Sequence, residues 1–263
     1  MNSRDPFPDE ELRRRIMDFI MAAGQTLLEN GAEVFRVEQT MEIMACSFHL
    51  REFHVYVLTN GIFASAGTAE ISEVRNVPTR TTHLGRVAAV NQLSRQIAAG
   101  GISIDEAESR LVQARNIPFP KDRVQLAAGC SGAFCFALIF GGTLRAGLAA
   151  AVAGFAASGY LLLCRRWGMG GGFRTISTAS LITLLCLAGC RVLGTEPSCA
   201  IIGTLMILTP GIAFTMGIRD FVQGDYLSGT IRMIDALLIA ASIAIGTGLV
   251  LGLAAALTGV VVG

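Results

Sequence analysis

Residues 116–140 read NIPFPKDRVQLAAGCSGAFCFALIF, and the fold turns on what changes inside them. Pro118 and Pro120, two apart, forbid a helix through the start of this stretch. From Val124 onward the residues are apolar or small for nearly the length, about 20 residues, that a bilayer-spanning helix needs. Charge changes at the same place. Residues 1–123 hold 14 of the 21 Lys+Arg and 16 of the 20 Asp+Glu, which leaves seven and four for the last 140. Water is therefore the solvent of the first part and lipid that of the second. We divide the chain into a domain over 1–117, a linker over 118–123 and a membrane domain over 124–263.

The whole composition agrees, with 52% hydrophobic and 16% charged residues against about 25% charged in soluble domains. An ordinary soluble enzyme, collagen, a coiled coil and a disordered chain are all excluded. A net charge of +1 and a single lysine, Lys121, also exclude a nucleic-acid partner, which requires a basic stripe. Nine charged residues, from Arg4 to Asp18, precede any long apolar run, so no cleavable signal peptide is expected. Seven cysteines, six of them in the apolar part, predict packed thiols and no disulfide framework.

Upstream of the linker the pattern predicts α-α-β-β-β-α-α. Apolar residues recur at helical spacing between Pro8 and Phe48, and Asn30-Gly31 between two such runs ends the first helix. Phe53, Val55 and Val57 then alternate with His54, Tyr56 and Leu58, Asn60-Gly61 marks a hairpin, and a third run, Ile71 to Val77, ends at Pro78. Helical periodicity returns at Val87, Val90, Leu93 and Ile97. Ser103 with Glu106 reads as a capping box opening a last helix to about Arg115.

Downstream, five stretches qualify as spans: 124–140, 146–163, 175–193, 198–218 and 234–262. Basic residues at their ends fix the orientation. Lys121, Arg123, Arg165, Arg166, Arg174, Arg219 and Arg232 fall on one side, Arg145 and Arg191 on the other, which places the N-terminus in the cytoplasm and the C-terminus outside. The predicted fold is thus an α-helical membrane protein, with five transmembrane helices following an N-terminal cytoplasmic α+β domain. Small residues recur four apart at Ala150, Gly154 and Ser158, and again at Gly248, Gly252 and Ala256. Such rows let helices approach closely within the chain or against another one.

Thr209-Pro210-Gly211 interrupts the fourth span. Proline removes a backbone donor and frees carbonyls, which makes either a plain kink or the lining of a midplane substrate site. Arg219, Asp220, Asp225, Arg232 and Asp235 follow. A carboxylate near lipid is paired or faces a wet cavity: Asp235 sits three residues from Arg232 and can pair with it, while Asp220, Asp225 or Asp235 can serve as a proton or substrate handle. Cys186 and Cys190 lack further ligands for a metal, and His49, His54 and His83 have no metal spacing. No cofactor is expected. Glu29, Glu33, Glu38, Glu42 and Arg36 make a charged face that is either solvated surface or an entry vestibule.

Two stretches carry a family resemblance. They are Leu27-Leu28-Glu29-Asn30-Gly31-Ala32-Glu33 followed by Arg36-Val37-Glu38, and Pro210-Gly211 followed by Asp220, Gly224, Gly229 and Arg232, with the Asn60-Gly61 hairpin between them. Together they resemble the threonine/serine exporter family, in particular the larger subunit of its split form. The resemblance implies an inner-membrane, multi-pass exporter of small polar metabolites, hydroxy amino acids in some members and C4-dicarboxylates such as succinate in others. It also implies a separate small multi-span subunit as partner; a homo-oligomer is the other assembly that the small-residue rows allow. The soluble domain of the family has been likened to hydrolases, but no nucleophile with a nearby base is found here. A membrane-anchored hydrolase and a scaffold or regulatory subunit are the alternatives to the transporter, which itself is not expected to be an enzyme.

Overall fold

The computed structural model describes residues 10–67, 71–77 and 81–258. Pro8, Pro78 and the end of the fifth expected span, 259–262, lie outside them. Two compact units are formed, one by Met1–Phe119 with Met216–Arg232, the other by Pro120–Thr215 with Met233–Gly263. Residues 216–232, read from sequence as the end of one span and the approach to the next, thus group with the first unit.

In the first unit the expected order is found: α1 (Glu10–Glu29), α2 (Val34–Ser47), β1 (His54–Leu58), β2 (Gly61–Ala66), β3 (Ile71–Asn76), α3 (Leu84–Ala98) and α4 (Ile104–Arg115). The strands form an antiparallel meander, with Val57 opposite Ile62 and Ala64 opposite Glu73. Alternation sends Val57, Ile62, Ala64 and Ala66 into a core with Met17, Ile20 and Met21 of α1 and Val37, Met41 and Met44 of α2. Tyr56, Phe63 and Val74, cross-strand neighbours, stay exposed on the other face. At Gly24 a side chain would meet Met41 Sδ at 2.3 Å, so any larger residue there would have to displace the Met41 side chain from the α1–α2 contact.

Caps follow sequence with one difference. Ser103 Oγ accepts from Glu106 N at 3.4 Å, but the Glu106 carboxylate, expected to reach back, accepts instead from Arg110 at 2.6 Å. A one-turn ion pair is available to it, and this competes with the cap. His83 caps α3: its Nδ1 accepts from Arg86 N at 3.2 Å, while its Nε2 lies 3.1 Å from Pro118 O. Phe119 packs on the same imidazole and on the Arg86 guanidinium, which ties Pro118 and Phe119 to the domain.

The second unit is helical. It contains α5 (Asp122–Ile139), α6 (Leu144–Arg166), α7 (Gly171–Leu193) and α8 (Ser198–Leu205); the chain continues through α9 (Gly211–Val222) and α10 (Tyr226–Thr258). Among the described residues three helices, α6, α7 and α10, are long and apolar enough to cross a membrane. The other two expected spans differ from that description for visible reasons. α5 opens with Asp122, Arg123 and Gln125, which shortens its apolar length. The fourth stretch is two short helices, because Pro210 stops the ladder. α5, α6 and α8 touch backbone to backbone: a side chain at Gly154 would meet Gly129 O at 2.5 Å, and one at Gly203 would meet Ala137 N at 2.4 Å. The Ala150, Gly154, Ser158 row is buried in that packing. A side chain added at Gly248 or Gly252, in contrast, would meet nothing within 4 Å among the described residues. All seven cysteines are free thiols, and Cys186 and Cys190 are buried in the apolar core of this unit.

Candidate functional site

Chemistry gathers at two places. The first is the elbow between α9 and α10, inside the first unit. Gly224 takes φ +86, outside the range most side chains accept, and turns the chain. Asp225 then caps α10, its Oδ1 accepting from Ser228 N at 3.2 Å. At Gly229 a side chain would meet Phe221 at 2.9 Å and Gly217 O at 3.0 Å, so this glycine lets α10 fold back against α9. The reversal brings Asp220 and Arg232, twelve residues apart, into an ion pair of 3.0 Å with both side chains buried. Asp220, Gly224, Gly229 and Arg232 of the second family stretch all have their place in this turn.

The first stretch meets it there. Gly31, at φ +89, sends the α1–α2 loop past the backbone of Thr81 and Thr82. Ala32 O then accepts from Arg232 Nη2 at 3.5 Å, and Glu33 Oε1 accepts from Arg219 Nη1 at 2.7 Å. Asn30, buried, donates to Thr26 O at 2.7 Å and holds the loop from behind. Glu38 Oε1 accepts from Val57 N at 2.9 Å and so joins α2 to β1. Burial pushes the Glu38 carboxyl above its ordinary range against that hydrogen bond, with Asp225 and Glu42 adding to the effect. Asp220, beyond the apolar part of α9, is raised by burial too; Arg232 opposes the shift, and Asp225 and Glu33 add to it.

The second place lies in the membrane unit, at the interruption. From Met206 to Pro210 the chain makes tight turns, Thr209 N donating to Met206 O at 3.3 Å and Gly211 N to Thr209 O at 2.9 Å. The carbonyls of Ile207 and Leu208 accept no hydrogen bond among the described residues. Met206, Ile207 and Leu208 line a cavity of about 680 Å³ together with Gln125, Ser158, Arg165, Arg174 and Thr175. Ser158 is buried, yet its hydroxyl makes no hydrogen bond among the described residues, and the Arg174 guanidinium has no partner among them either.

The residues singled out from sequence therefore separate. Pro210 and Gly211 make the break, but Thr209 is exposed and bonds back to Leu205 O at 3.2 Å. Arg219, Asp220, Asp225 and Arg232 come together at the elbow. Asp235 stands further along α10, in the second unit. Sequence reasoning missed Ser158 and Arg174 as cavity residues. A four-residue spacing and a helix-end arginine have plainer meanings, packing and orientation, and those readings absorbed them.

Apolar helices of spanning length and a stretch interrupted at Pro210, in one chain with a mixed α+β domain, make this a membrane protein, and interrupted helices are a device that transporters use. Over residues 18–254 the chain matches the family model "Putative threonine/serine exporter", and it belongs to that family. It is 26% identical over 260 residues to a "Probable threonine/serine exporter" of Mycobacterium tuberculosis (strain ATCC 25618 / H37Rv). That alignment covers 92% of this chain and 49% of the relative, so the chain spans about half the relative's length. No solved structure matches it.

Proposed function

We propose that the chain is the larger part of an inner-membrane exporter of small polar metabolites, with hydroxy amino acids as first cargo and C4-dicarboxylates such as succinate as second. The single observation that carries the reading is the interruption: free carbonyls at Ile207 and Leu208 beside a cavity that also holds Ser158 and Arg174. Backbone is left unpaired at membrane depth only where it lines a cavity or is satisfied by a ligand. An α-amino acid fits these groups, its ammonium on the carbonyls, its carboxylate on Arg174 and a side-chain hydroxyl on Ser158.

In this reading the first unit is cytoplasmic and five segments cross the bilayer. Thr209, Pro210 and Gly211 shape the site. Asp220 is the proton handle, since its pair with Arg232 opens when the carboxyl is protonated, and Arg219, Asp225 and Asp235 serve the path around it. A small multi-span partner completes the transporter.

Efflux from cells preloaded with labelled L-threonine tests the proposal. Arg174→Ala should cut efflux about tenfold or more, the scale of one hydrogen bond to a charged group, with membrane insertion unchanged. Succinate efflux in the same cells separates the two cargo classes. Unaltered efflux of both in the variant would remove the cavity from the transport path.

A further inference from the structure

The first unit contains a cleft that the transport reading does not use. It has a volume of about 340 Å³, within the range of small-ligand sites, and lies between the start of α2 and one side of α3. Its polar lining includes Glu33, Arg36 and Gln39 of the loop and α2, and Asn91, Ser94 and Arg95 of α3. Three observations make this more than a groove in a charged surface. Ser94 is only 4% exposed, and its hydroxyl makes no hydrogen bond among the described residues. Glu33 Oε2 is buried without a hydrogen bond while Oε1 is held by Arg219. The side chains of Asn91 and Arg95 likewise form no hydrogen bond or ion pair among the described residues. A buried acceptor left unmade costs about 1–3 kcal/mol, so Glu33 Oε2 marks where a ligand donor completes the cleft, and the Asn91, Ser94 and Arg95 side chains, uncommitted among the described residues, can hold the rest of that ligand.

The geometry points to a binding site for a small α-amino acid zwitterion in this cleft, distinct from the cavity of the second unit. The chemistry of the lining selects that class. Arg36 and Arg95 provide charge for a carboxylate. Glu33 Oε2 takes an ammonium, and Asn91 with Ser94 hydrogen-bonds a short polar side chain. A dicarboxylate has nothing to offer Glu33 and would set a second negative charge beside it; a purely cationic amine would leave both arginines unused. Because the same Glu33 carboxylate anchors Arg219, an ammonium on Oε2 sits on the other oxygen of the residue that holds the elbow, so an occupied cleft and the elbow share one group.

The test uses the purified full-length chain in detergent, with hydrogen exchange followed by mass spectrometry during titration with L-threonine. That probe is chosen from the proposed cargo; the site itself stands on the cleft and needs no transport to be seen. Slower exchange is expected over residues 31–40 and 84–95. Arg95→Ala, on an exposed side chain, should weaken the effect about tenfold, and Ser94→Ala should weaken it without altering the unliganded pattern. Arg174→Ala should leave it in place, which separates this site from the transport cavity. Succinate should give no protection. The assignment is overturned if L-threonine slows nothing in these segments at high millimolar concentration, if succinate protects them equally, or if Arg95→Ala changes nothing.

Discussion

Asp220 and Arg232 are the pair on which the elbow depends, and a buried ion pair has an asymmetric energetics. Removing one partner leaves an uncompensated charge and costs about 3–5 kcal/mol, whereas replacing both with apolar residues of similar size is often neutral. Asp220→Asn should therefore lower the unfolding midpoint of the first unit, measured by limited proteolysis in denaturant, while Asp220→Leu with Arg232→Met should recover most of it. If the recovered double variant still fails to export, Asp220 has a role beyond holding the turn, as the proton-handle proposal requires. Glu38 gives a pH-dependent case. Its carboxyl is raised in the folded protein by burial, so stability is greatest below the unfolded carboxyl value and falls as pH rises through the folded one. Glu38→Gln keeps an acceptor for Val57 N and removes the buried charge. It should stabilise the domain near neutral pH, with the gain vanishing in acid; a gain that persists there would show that the charge is not its source. Sequence made Asp220 and Arg232 visible as costly charges, but not as partners. Their separation of twelve matches no helical period, because the chain reverses at Gly224 between them.

Elements were more legible than contacts. Helical periodicity and the Asn60-Gly61 turn are local signals, and α1 to α4 with the meander follow from them. The start of α10 was not legible: its first turns, Tyr226 to Arg232, are polar and belong to the first unit, so an apolar run locates the helix eight residues late. A helix of 33 residues extends about 50 Å, some 20 Å more than the hydrocarbon core, which leaves room for those turns outside it. The interruption of the fourth stretch was legible from Pro210 alone, while its cavity, built from four other segments, was not. Restoring the ladder tests what the break does. Pro210→Ala with Gly211→Ala gives position 210 a donor for Met206 O and favours helix through Ile207 and Leu208. Threonine efflux should fall about tenfold or more as those carbonyls are re-paired, with protein level in the membrane unchanged. Undiminished efflux would make the break a packing device.

At the scale of the molecule, the seven-to-two distribution of basic residues predicts that reporters fused at Gly171 and Gly194 lie on opposite sides of the membrane. Assembly is the larger question, and α10 bears on it. Leu249, Leu253 and Leu257 are each more than 60% exposed, and a side chain added at Gly248 or Gly252 would meet nothing within 4 Å among the described residues. Lipid can cover leucines, but a glycine row makes poor contact with lipid chains and close contact with another helix, as Gly154 and Gly203 do inside this unit. The relative from Mycobacterium tuberculosis is about twice as long as the part this chain matches, which leaves room there for a second membrane unit. Both observations favour a companion helix on α10. Reconstituted alone and kept monomeric, the chain should export no threonine, and efflux should appear when a companion multi-span unit is co-expressed. Gly252→Leu, which fills the open row without touching either candidate site, should abolish association and efflux together. Cross-linking from Cys substituted at Gly248 identifies the occupant: a product with the companion supports the two-part exporter, a product of twice the chain mass makes a homodimer of it, and full export by an uncross-linked monomer overturns the need for any partner.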